Sequence, residues 1–544
     1  MTAKDSSSSA TSHSDLFRLE LGDRLPAFPR ALLDGRDSDL LEPIGFFDPA
    51  AEPPGLTSGS VTAPRPEVAQ ALGDANREYG HPRAGDLADK LADPETRVVV
   101  TGQQPGLFGG PLLGLSKTLA AIKHAEALEA KGIRAVAVFW VATEDHDWAE
   151  IASATFLNRQ GPVTLSLGED REPLRPVGRR HLGDDMPVLA ERARELFFGD
   201  DAVKRLERIL EVHHTGATVG EAFIRTMLEV LGDRAPLYLD AQLPALKALQ
   251  RPMLRALVER RSELDAAYAA ADAALTDRGY GLQVTPQPGV SPLFLELDGE
   301  RRRIEWRGDD RFSLRGRDDY EAPVDDLLRI LDGEPGRVSP GVLARPAIQD
   351  ALLGTTLQIL GPSELSYMPQ AAPAHALLGL RGVQTILRPQ TMVLDGKTAG
   401  WLQELELPLE SLLTRPLEEA LAERVGDDLV TPVRDAIEAQ LETLRRAALE
   451  VDKSLAKPFD KTRDHIGRGL ETLSAKIAGA VARRHEVWLK RLQQAKANLV
   501  PGGAWMERRL ATAFLHIRHG EALAETLDAQ LNLDPRHLSV IELD

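Results

Sequence analysis

The sequence contains no cysteine among its 544 residues, which excludes several kinds of site. There is no disulfide framework, thiolate nucleophile, iron–sulfur cluster or cysteine-ligated zinc. Long apolar runs are also absent, since Ala135–Ala142 is far shorter than the roughly 20 residues that a membrane helix needs. The first residues, MTAKDSSSSATSHSD, lack the apolar stretch of a signal peptide. We therefore expect a cytoplasmic protein without a membrane partner and with a disordered tail at 1–14.

Basic side chains are fewer than acidic ones, with 65 Lys and Arg against 83 Asp and Glu and a net charge of −18. Such a chain lacks the clustered cations of a nucleic-acid interface, so we expect no nucleic-acid partner. A basic stretch at 434–496 holds 14 Lys and Arg against 9 Asp and Glu. An acidic body therefore carries a modestly basic segment that would attract acidic surfaces.

The basic stretch also carries apolar residues at alternating spacings of four and three, a pattern typical of a coiled-coil seam. The first seam consists of Ile437, Leu441, Leu444, Ala448, Val451 and Leu455. The second, which drifts toward an 11-residue repeat, consists of Leu470, Leu473, Ile477, Val481, Trp488, Leu492 and Leu499. We predict that Pro458 interrupts the seam, that 401–500 form a helical coiled-coil arm, and that 501–544 pack back on the core.

Strands and helices alternate before this arm. The β-branched run Arg97–Thr101, a helical stretch at 111–131 and the apolar run Ala135–Ala142 read as a β-α-β unit. Such a unit implies a parallel sheet with both faces covered by helices. We therefore predict an α/β fold whose core extends over 15–400.

Further strands are expected within this core. The candidates are Leu237–Asp240, Gly281–Thr285, Leu293–Leu297, Thr355–Leu360 and Thr385–Leu387. The densely charged stretch Asp298–Arg317 is expected to be a solvated hairpin or loop. Insertions into the core are expected at about 150–235 and 286–340.

A glycine-rich segment, 101–111, is the first candidate for chemistry because it follows a parallel strand and precedes a helix. Ligands of open α/β sheets bind at this edge, and a helix N-terminus favours anions. The candidate ligand contacts are Gly102, Gln103, Gln104, Gly106, Gly109, Gly110 and Lys117. The spacing is neither a dinucleotide fingerprint nor a phosphate loop. An ordinary turn, in which the glycines only allow tight packing, explains the segment equally well.

The second candidate is Glu144-Asp145-His146-Asp147, directly after the apolar strand. It lies at the same edge of the sheet as the glycine-rich segment. His146 with carboxylate neighbours is suited to acid or base catalysis. A metal corner and a solvated turn before a helix are the alternatives. The adjacent pair His213-His214 would point about 100° apart on a helix and is not expected to bind a metal together.

The third candidate, 361–367, follows another predicted strand. Glu364 suits a helix N-terminus, and Tyr367 either contacts a ligand or is a buried structural tyrosine. Arg345 and Arg388 would pair with carboxylates or phosphate, or else form surface ion pairs.

These segments together resemble the bacillithiol biosynthesis cysteine-adding enzyme family. The most specific are the GQQPGLFGGP sequence at 102–111 and the VFWVATEDHD sequence at 138–147. Weaker similarity is found at 301–304 (RRRI), 361–367 (GPSELSY) and 506–508 (MER). The order matches, and the resemblance extends from about residue 15 over nearly the whole chain.

The resemblance implies a Rossmann-like core with inserted segments and a coiled-coil arm that forms a homodimer. It implies a ligase that joins L-cysteine to glucosaminyl-malate, the last step in making this low-molecular-weight thiol. It also suggests ATP or ADP as a cofactor, with Glu507 and Arg508 as candidate contacts. We assign no residue to a metal, and the lack of cysteine excludes a cysteine-ligated one.

A catalytic hypothesis follows for the residues at the predicted sheet edge. His146, oriented by Asp145 or Asp147 beside Glu144, would take the proton from the sugar amine. The loop at 106–110 would hold an anionic carboxyl, helped by cationic side chains. Those cations are Lys117, Arg345 and Arg388, and Glu364 and Tyr367 complete the predicted substrate contacts.

Some positions depart from the family pattern, among them Gly341, Gly354, Met368 and Met506. Two alternatives therefore stay open: a nucleotide-dependent ligase or transferase for another amine, and a non-enzymatic dimeric scaffold whose arm recruits an acidic partner. The missing cysteines suit an enzyme that handles cysteine, because protein thiols would form mixed disulfides with substrate and product.

Overall fold

The computed structural model describes residues 16–49, 56, 59–158, 160–425 and 431–543. The tail predicted at 1–14 lies outside these residues. The strands are β1 (Gly45–Phe46), β2 (Arg97–Gln103), β3 (Ala135–Val141), β4 (Ser153–Asn158), β5 (Gly161–Ser166), β6 (Leu237–Asp240), β7 (Val290–Leu297), β8 (Glu300–Arg307), β9 (Arg311–Leu314), β10 (Arg317–Pro323), β11 (Val338–Pro340), β12 (Thr355–Leu360), β13 (Gln384–Leu387), β14 (Gln390–Asp395) and β15 (Leu538–Leu543).

Helices connect most of these strands. They are α1 (Ala27–Leu33), α2 (Arg65–Tyr79), α3 (Ala84–Ala92), α4 (Leu112–Glu129), α5 (Trp148–Ile151), α6 (Met186–Arg194), α7 (Asp200–Val212), α8 (Val219–Leu231), α9 (Pro244–Glu259), α10 (Arg261–Asp277), α11 (Val324–Gly333), α12 (Arg345–Leu353), α13 (Pro362–Leu377), α14 (Gly396–Glu404), α15 (Leu409–Thr414), α16 (Leu417–Arg424), α17 (Thr431–Val451), α18 (Ala456–Arg484), α19 (Glu486–Leu499), α20 (Thr512–His519) and α21 (Ala522–Gln530). Over the described ranges, no helix combines the length and apolarity needed to cross a bilayer.

The core is a parallel sheet with the strand order β1-β13-β12-β2-β3-β6. Its central strands are apolar and fully covered, as a doubly wound sheet requires: β3 is buried along its whole length. The predicted β-α-β unit is confirmed, with α4 as the crossover between β2 and β3. The α/β fold predicted from the sequence is therefore confirmed.

The strand order reverses direction between β2 and β12. From β2 the chain proceeds outward through β3 to β6, then returns and proceeds through β12 and β13 on the other side. The connections leaving β2 and β12 therefore diverge, which opens a crevice at their carboxyl ends. Two of the predicted segments, the one after Gln103 and the one beginning at Gly361, meet at this switch point.

Two insertions interrupt the core. The first lies between β3 and β6 and contains the antiparallel β4–β5 hairpin. The second lies between β6 and β12 and contains an antiparallel sheet with the order β10-β9-β8-β7-β11.

Two local predictions in the second insertion need correction. Asp298–Arg317 does contain a hairpin, β8–β9, but it is not solvated throughout, because its strands bury Ile304 and Phe312 against the core. Gly281–Thr285 is not a strand, because the backbone N–H groups of Gln283 and Val284 donate to the Gln370 side chain.

The described residues form two compact units, one within 20–392 and 507–541 and the other within 16–19, 393–506 and 542–543. The division thus falls at 392/393 and 506/507, whereas the sequence pattern placed boundaries at 400 and 501. In the second unit, α17 packs on α18, and the break between them is capped by the Asp452 side chain. Pro458 is not the interruption, since it occupies the first turn of α18, where a missing N–H costs nothing.

Candidate functional site

A cleft of about 690 Å³ opens at the switch point of the parallel sheet. Predicted residues that line it are Gly102, Gln103, Gln104, Lys117, Glu144, Asp145, His146, Arg345, Glu364, Tyr367, Arg388 and Arg508. Predicted residues outside its lining are Gly106, Gly109, Gly110, Asp147 and Glu507. The fold therefore brings all three candidate segments together, although not every residue in them reaches the cleft.

Lys117 ties the two sides of the switch point together. It is 2% exposed, and its Nζ donates to the Gly102 carbonyl at 2.9 Å and to Glu364 Oε2 at 2.6 Å. Glu364 also accepts the Gly361 N–H at 2.6 Å, which caps α13. Burial lowers the pKa of Lys117, while Lys117 and the Gly361 N–H hold the pKa of Glu364 below its usual range against the effect of burial. The two residues form an internal ion pair that shapes the floor of the cleft.

Asp145 is held by neighbours in the glycine-rich segment and in its own turn. Its Oδ2 accepts Gln104 Nε2 at 2.7 Å, and its Oδ1 accepts the backbone N–H of His146 at 2.8 Å. A carboxylate only accepts here, so Gln104 presents its nitrogen to Asp145 and its oxygen elsewhere. That oxygen, Oε1, is buried and has no partner among the described residues.

His146 faces an arginine rather than a carboxylate. Arg301 Nη1 lies 3.3 Å from His146 Nδ1, whereas Asp145 Oδ1 is 3.7 Å away. Because a guanidinium can only donate, this contact assigns a lone pair to Nδ1 and places the proton of the neutral ring on Nε2. Burial and the Arg301 charge lower the pKa of His146, against the opposing effect of Asp145. His146 is thus a neutral donor through Nε2.

This geometry corrects the predicted orientation of His146. Asp145 is too far from the ring to accept a hydrogen bond, and Asp147 instead caps α5 by accepting the Glu150 N–H. A base must present a lone pair to the amine, and the Nδ1 lone pair is directed at Arg301. We therefore reassign Asp147 to helix capping and His146 to hydrogen-bond donation.

Glu144 lines the cleft, but its charge is balanced by a buried lysine. It pairs with Lys247 of α9, and both side chains are buried. The neighbouring carboxyl of Asp240 is also buried and accepts the Thr143 hydroxyl and the Gln242 N–H. Burial raises the pKa of Asp240. This layer supports the turn that carries the catalytic candidates.

Arg388 forms a third internal ion pair. Its guanidinium donates to both oxygens of Glu507, at 2.9 and 2.7 Å, and Glu507 also accepts the backbone N–H of Thr391. Glu507 is 0% exposed, so it does not fit the predicted contact to a nucleotide. Arg508 does line the cleft and is exposed. The predicted nucleotide contacts are therefore reduced to Arg508.

The glycine loop packs against protein rather than around a ligand. A Cβ at Gly106 would lie 2.6 Å from Gly110 Cα, and one at Gly109 would lie 2.9 Å from a methyl of Thr226. Gly109 and Gly110 also have φ of 79° and 63°, which favour glycine. We reassign Gly106, Gly109 and Gly110 from substrate binding to backbone packing.

His213 completes this packing. Its ring stacks on Phe108 with centroids 4.7 Å apart, Nε2 accepts the Phe108 N–H at 3.1 Å, and Nδ1 donates to the Ile209 carbonyl at 2.8 Å. Burial lowers the pKa of His213 to about 4. His213 is therefore a neutral core histidine that holds the loop. Across the described ranges, no group of three His, Asp or Glu side chains is placed to hold a metal.

Arg345 and Tyr367 meet at one side of the cleft. Arg345 donates to Gln349 Oε1 at 3.0 Å and approaches the Tyr367 hydroxyl at 3.4 Å. Burial raises the pKa of Tyr367, against the opposing charge of Arg345. Tyr367 is therefore a neutral hydroxyl at the cleft wall.

Sequence reasoning missed the wall that the second insertion contributes. We call Phe294, Arg301 and Arg303 the arginine shelf, because both guanidinium groups lie over the Phe294 ring, at 3.7 and 4.9 Å from its centroid. Arg301 also donates to Ser339 Oγ and to the Pro340 carbonyl. Arg301 and Arg303 are two positions apart on a strand and therefore share a face, which was the available signal in the sequence. The charge density of 298–317 suggested a solvated hairpin or loop instead.

Two other lining residues were missed. Trp140 was treated only as part of an apolar strand, yet it is 0% exposed and its Nε1 donor has no partner among the described residues. Glu150 follows the acidic segment, and burial together with Asp147 and Asp145 raises its pKa.

Two departures from the family pattern have local physical reasons. A Cβ at Gly341 would lie 2.9 Å from the Phe294 ring, so glycine accommodates the arginine shelf. Gly354 ends α12 with φ 60° and ψ 49°, a left-handed conformation suited to a helix C-cap. These two substitutions therefore fit the fold of this chain.

Comparison with known proteins agrees with this architecture. The family description "Bacillithiol biosynthesis BshC, N-terminal Rossmann-like domain" matches residues 55–388, and "Bacillithiol biosynthesis BshC, C-terminal coiled-coil domain" matches 391–543. The Rossmann-like core and the coiled coil predicted from the sequence are thereby confirmed.

Relatives named "Putative cysteine ligase BshC" match most of the chain. The Salinibacter ruber protein is 31% identical over 94% of this chain and 95% of its own length. A Thermus thermophilus protein is 32% identical over 85% and 95%, respectively. The Solibacter usitatus protein is 31% identical over 73% and 75%. The chain belongs to the bacillithiol biosynthesis BshC family.

Proposed function

We propose that this protein is a ligase that forms an amide between the carboxyl group of L-cysteine and the amine of glucosaminyl-malate. The bond joins the cysteine carbonyl carbon to the sugar nitrogen with net loss of water, so the carboxyl must be activated. Membership of the BshC family supports the reaction class.

One observation carries the proposal: the cleft has more cations than its own carboxylates neutralise. Lys117 pairs with Glu364 and Arg388 with Glu507. Three further lining arginines have no carboxylate within 4 Å among the described residues: Arg303, Arg345 and Arg508. A cleft with this surplus favours an anionic ligand, and the malate group of the acceptor carries two carboxylates.

His146 and Glu150 have complementary properties for amide formation. The Nε2–H of His146 is suited to stabilise negative charge on the carbonyl oxygen of activated cysteine. The Glu150 carboxylate, whose pKa is raised, is suited to accept the proton released by the amine. Gln104 Oε1 and Trp140 Nε1 are buried polar atoms of cleft-lining residues, and neither has a partner among the described residues.

The direct test is reconstitution. Purified protein is incubated with L-cysteine and glucosaminyl-malate, with and without ATP, and bacillithiol is measured by mass spectrometry. Formation of bacillithiol supports the proposal, and the ATP arm identifies whether a nucleotide activates the carboxyl. Absence of product in both arms, with amide formation on a different amine, would favour the alternative ligase or transferase.

We also propose that the protein is a homodimer through its arm. Leu444, Val451 and Leu455 are exposed along the first seam, and an apolar seam of this kind is stabilised by a second helix. Deletion of 434–499 followed by light scattering and the cysteine-addition assay tests this. A ligase loses mainly its dimeric mass, whereas a scaffold loses its partner and has no cysteine-adding activity to retain.

A further inference from the structure

We propose that Arg303 binds a carboxylate of the acceptor substrate and thereby sets the preference of the enzyme for the malate group. This inference rests on the proposed function and adds a specificity-determining residue to it. The ligand class is a carboxylate on the aglycone of an amino sugar. Three features of the arginine shelf support it: position, lack of a partner and access.

Arg303 is held in position by sheet register. In the β7–β8 pair, Phe294 lies directly opposite Arg303, so the two side chains project from the same face. The guanidinium lies 4.9 Å from the Phe294 ring centroid, a distance at which cation–π attraction orients it. The opposite face of this sheet carries Ile304 and packs into the core. The arginine is therefore presented on the cleft side by a rigid element.

Arg303 differs from its neighbour in what it contacts. Arg301 is 6% exposed and already engages Ser339, Pro340 and the Asp145–His146 turn. Arg303 is half-buried, and no carboxylate lies within 4 Å of it in the described part of the chain. A guanidinium matches a carboxylate through two parallel N–H···O bonds. An arginine that is preorganised but unpaired is therefore suited to receive one from a ligand.

Access to Arg303 is provided from two sides. It lines the cleft of about 690 Å³ and also an adjoining hollow of about 440 Å³, and these two cavities share Arg303, Gly341 and Val342. The guanidinium is therefore open to a ligand that enters either cavity. Gly341 keeps this passage close to Phe294, where any larger residue would meet the ring.

Arg302 is a matched control on the same strand. It projects from the opposite face, where it is paired with Glu300 and donates to the Arg315 carbonyl at 2.9 Å. Replacing Arg302 removes the same charge from the same strand without touching the cleft. A long-range electrostatic or folding effect would therefore appear in both variants, whereas loss of a ligand contact would appear only at Arg303.

The experiment compares two acceptors in the full-length protein. Cysteine addition to glucosaminyl-malate and to methyl glucosaminide, which lacks carboxylates, is measured for wild type, Arg303→Met, Arg303→Lys and Arg302→Met. We expect Arg303→Met to raise KM for glucosaminyl-malate roughly 10- to 100-fold, the loss of one charge-assisted contact, with kcat and the methyl glucosaminide reaction little changed. The KM of Arg303→Lys for glucosaminyl-malate should lie between those of wild type and Arg303→Met, because lysine keeps the positive charge but cannot form the two parallel N–H···O bonds of a guanidinium. Arg302→Met should resemble wild type.

Equal losses with both acceptors, or an equal loss in Arg302→Met, would overturn the role of Arg303. Calorimetric binding of L-malate separates this proposal from the proposed function. If wild type turns over neither acceptor yet binds L-malate more tightly than Arg303→Met does, the function is wrong and the carboxylate site stands. If wild type does not bind L-malate, or Arg303→Met binds it equally well, the carboxylate site is wrong.

Discussion

The two walls of the cleft use cations differently. On the parallel-sheet wall, Lys117 and Arg388 each form an ion pair with a glutamate of the protein, Glu364 and Glu507 respectively. On the arginine shelf, Arg301 is held by neutral groups and by an ion pair with Asp145 at 3.6 Å. Among the described residues, Arg303 has no carboxylate within 4 Å and lies over the Phe294 ring. A buried cation that is paired with a carboxylate of the protein has a structural role. A preorganised cation without such a partner is suited to bind an anionic ligand. Position at a cleft therefore does not by itself identify a substrate contact.

The largest expected effect is on the paired side of this comparison. Glu507→Ala should lower the free energy of unfolding of the unit that contains 20–392 and 507–541 by about 3–5 kcal/mol, because it leaves Arg388 buried without a counter-charge. Urea unfolding measures this. The double variant Arg388→Met/Glu507→Leu should recover most of the loss, and Arg303→Met should change stability little. Equal destabilisation by Arg303→Met would show that both walls are structural.

The next effect concerns His146, which the arginine shelf orients. His146→Ala should reduce kcat about 10²- to 10³-fold, the usual cost of removing one donor to a developing oxyanion. His146→Gln should recover part of this activity, since its amide offers an N–H but no basic lone pair. Steady-state kinetics at saturating substrates measures both. A Gln variant as inactive as the Ala variant would restore the base role first expected for His146.

Much of this arrangement was predictable, and the limits have physical reasons. Short continuous apolar runs predict β2 and β3, and parallel connectivity brings the segments that follow these strands to one edge of the sheet. Glu144, Asp145 and His146 could therefore be placed together from the sequence. The partner of His146 could not, because Arg301 comes from an insertion about 155 residues later and its contact depends on tertiary packing.

The glycine loop shows a second limit. A run such as 106–110 has the same composition whether it surrounds a ligand or packs on a neighbouring helix. The distinguishing facts are the contacts of Gly109 with Thr226 and of Phe108 with His213, which join residues more than 100 positions apart. No local pattern encodes them. His213 supplies one of these contacts, although the pair His213-His214 was considered in the sequence only as a metal site and was not expected to bind a metal.

A smaller loss of stability is expected from a substitution in the loop at 106–110, where a backbone conformation, rather than a charged side chain, is required. Gly109→Ala should destabilise the protein by about 1–3 kcal/mol, because φ is 79° and the new methyl would meet Thr226. KM for both substrates should stay near the wild-type value in the folded fraction. Gly114→Ala, at a helical position with open space around it, serves as the control. A large rise in KM with unchanged stability would return Gly109 to ligand binding.

The smallest expected effect is a shift in pH dependence, and it tests how Arg301 acts. Arg301 lowers the pKa of His146 together with burial and Arg180, while Asp145 and Asp147 oppose them. Protonation would place a positive charge and an N–H at Nδ1 against Arg301 and break the contact that orients the ring. Activity should therefore fall as pH falls through that pKa, so the wild-type acid limb lies below the ordinary histidine pKa of about 6.5. In Arg301→Gln the pKa should rise, moving the acid limb of kcat/KM to higher pH. Activity well above this limb should fall far less than in His146→Ala, because Nε2–H is still present.

Arg302→Gln, on the opposite face, is the control and should leave the acid limb in place. An unmoved limb in Arg301→Gln would mean that Arg301, like Arg388, serves only to hold the wall.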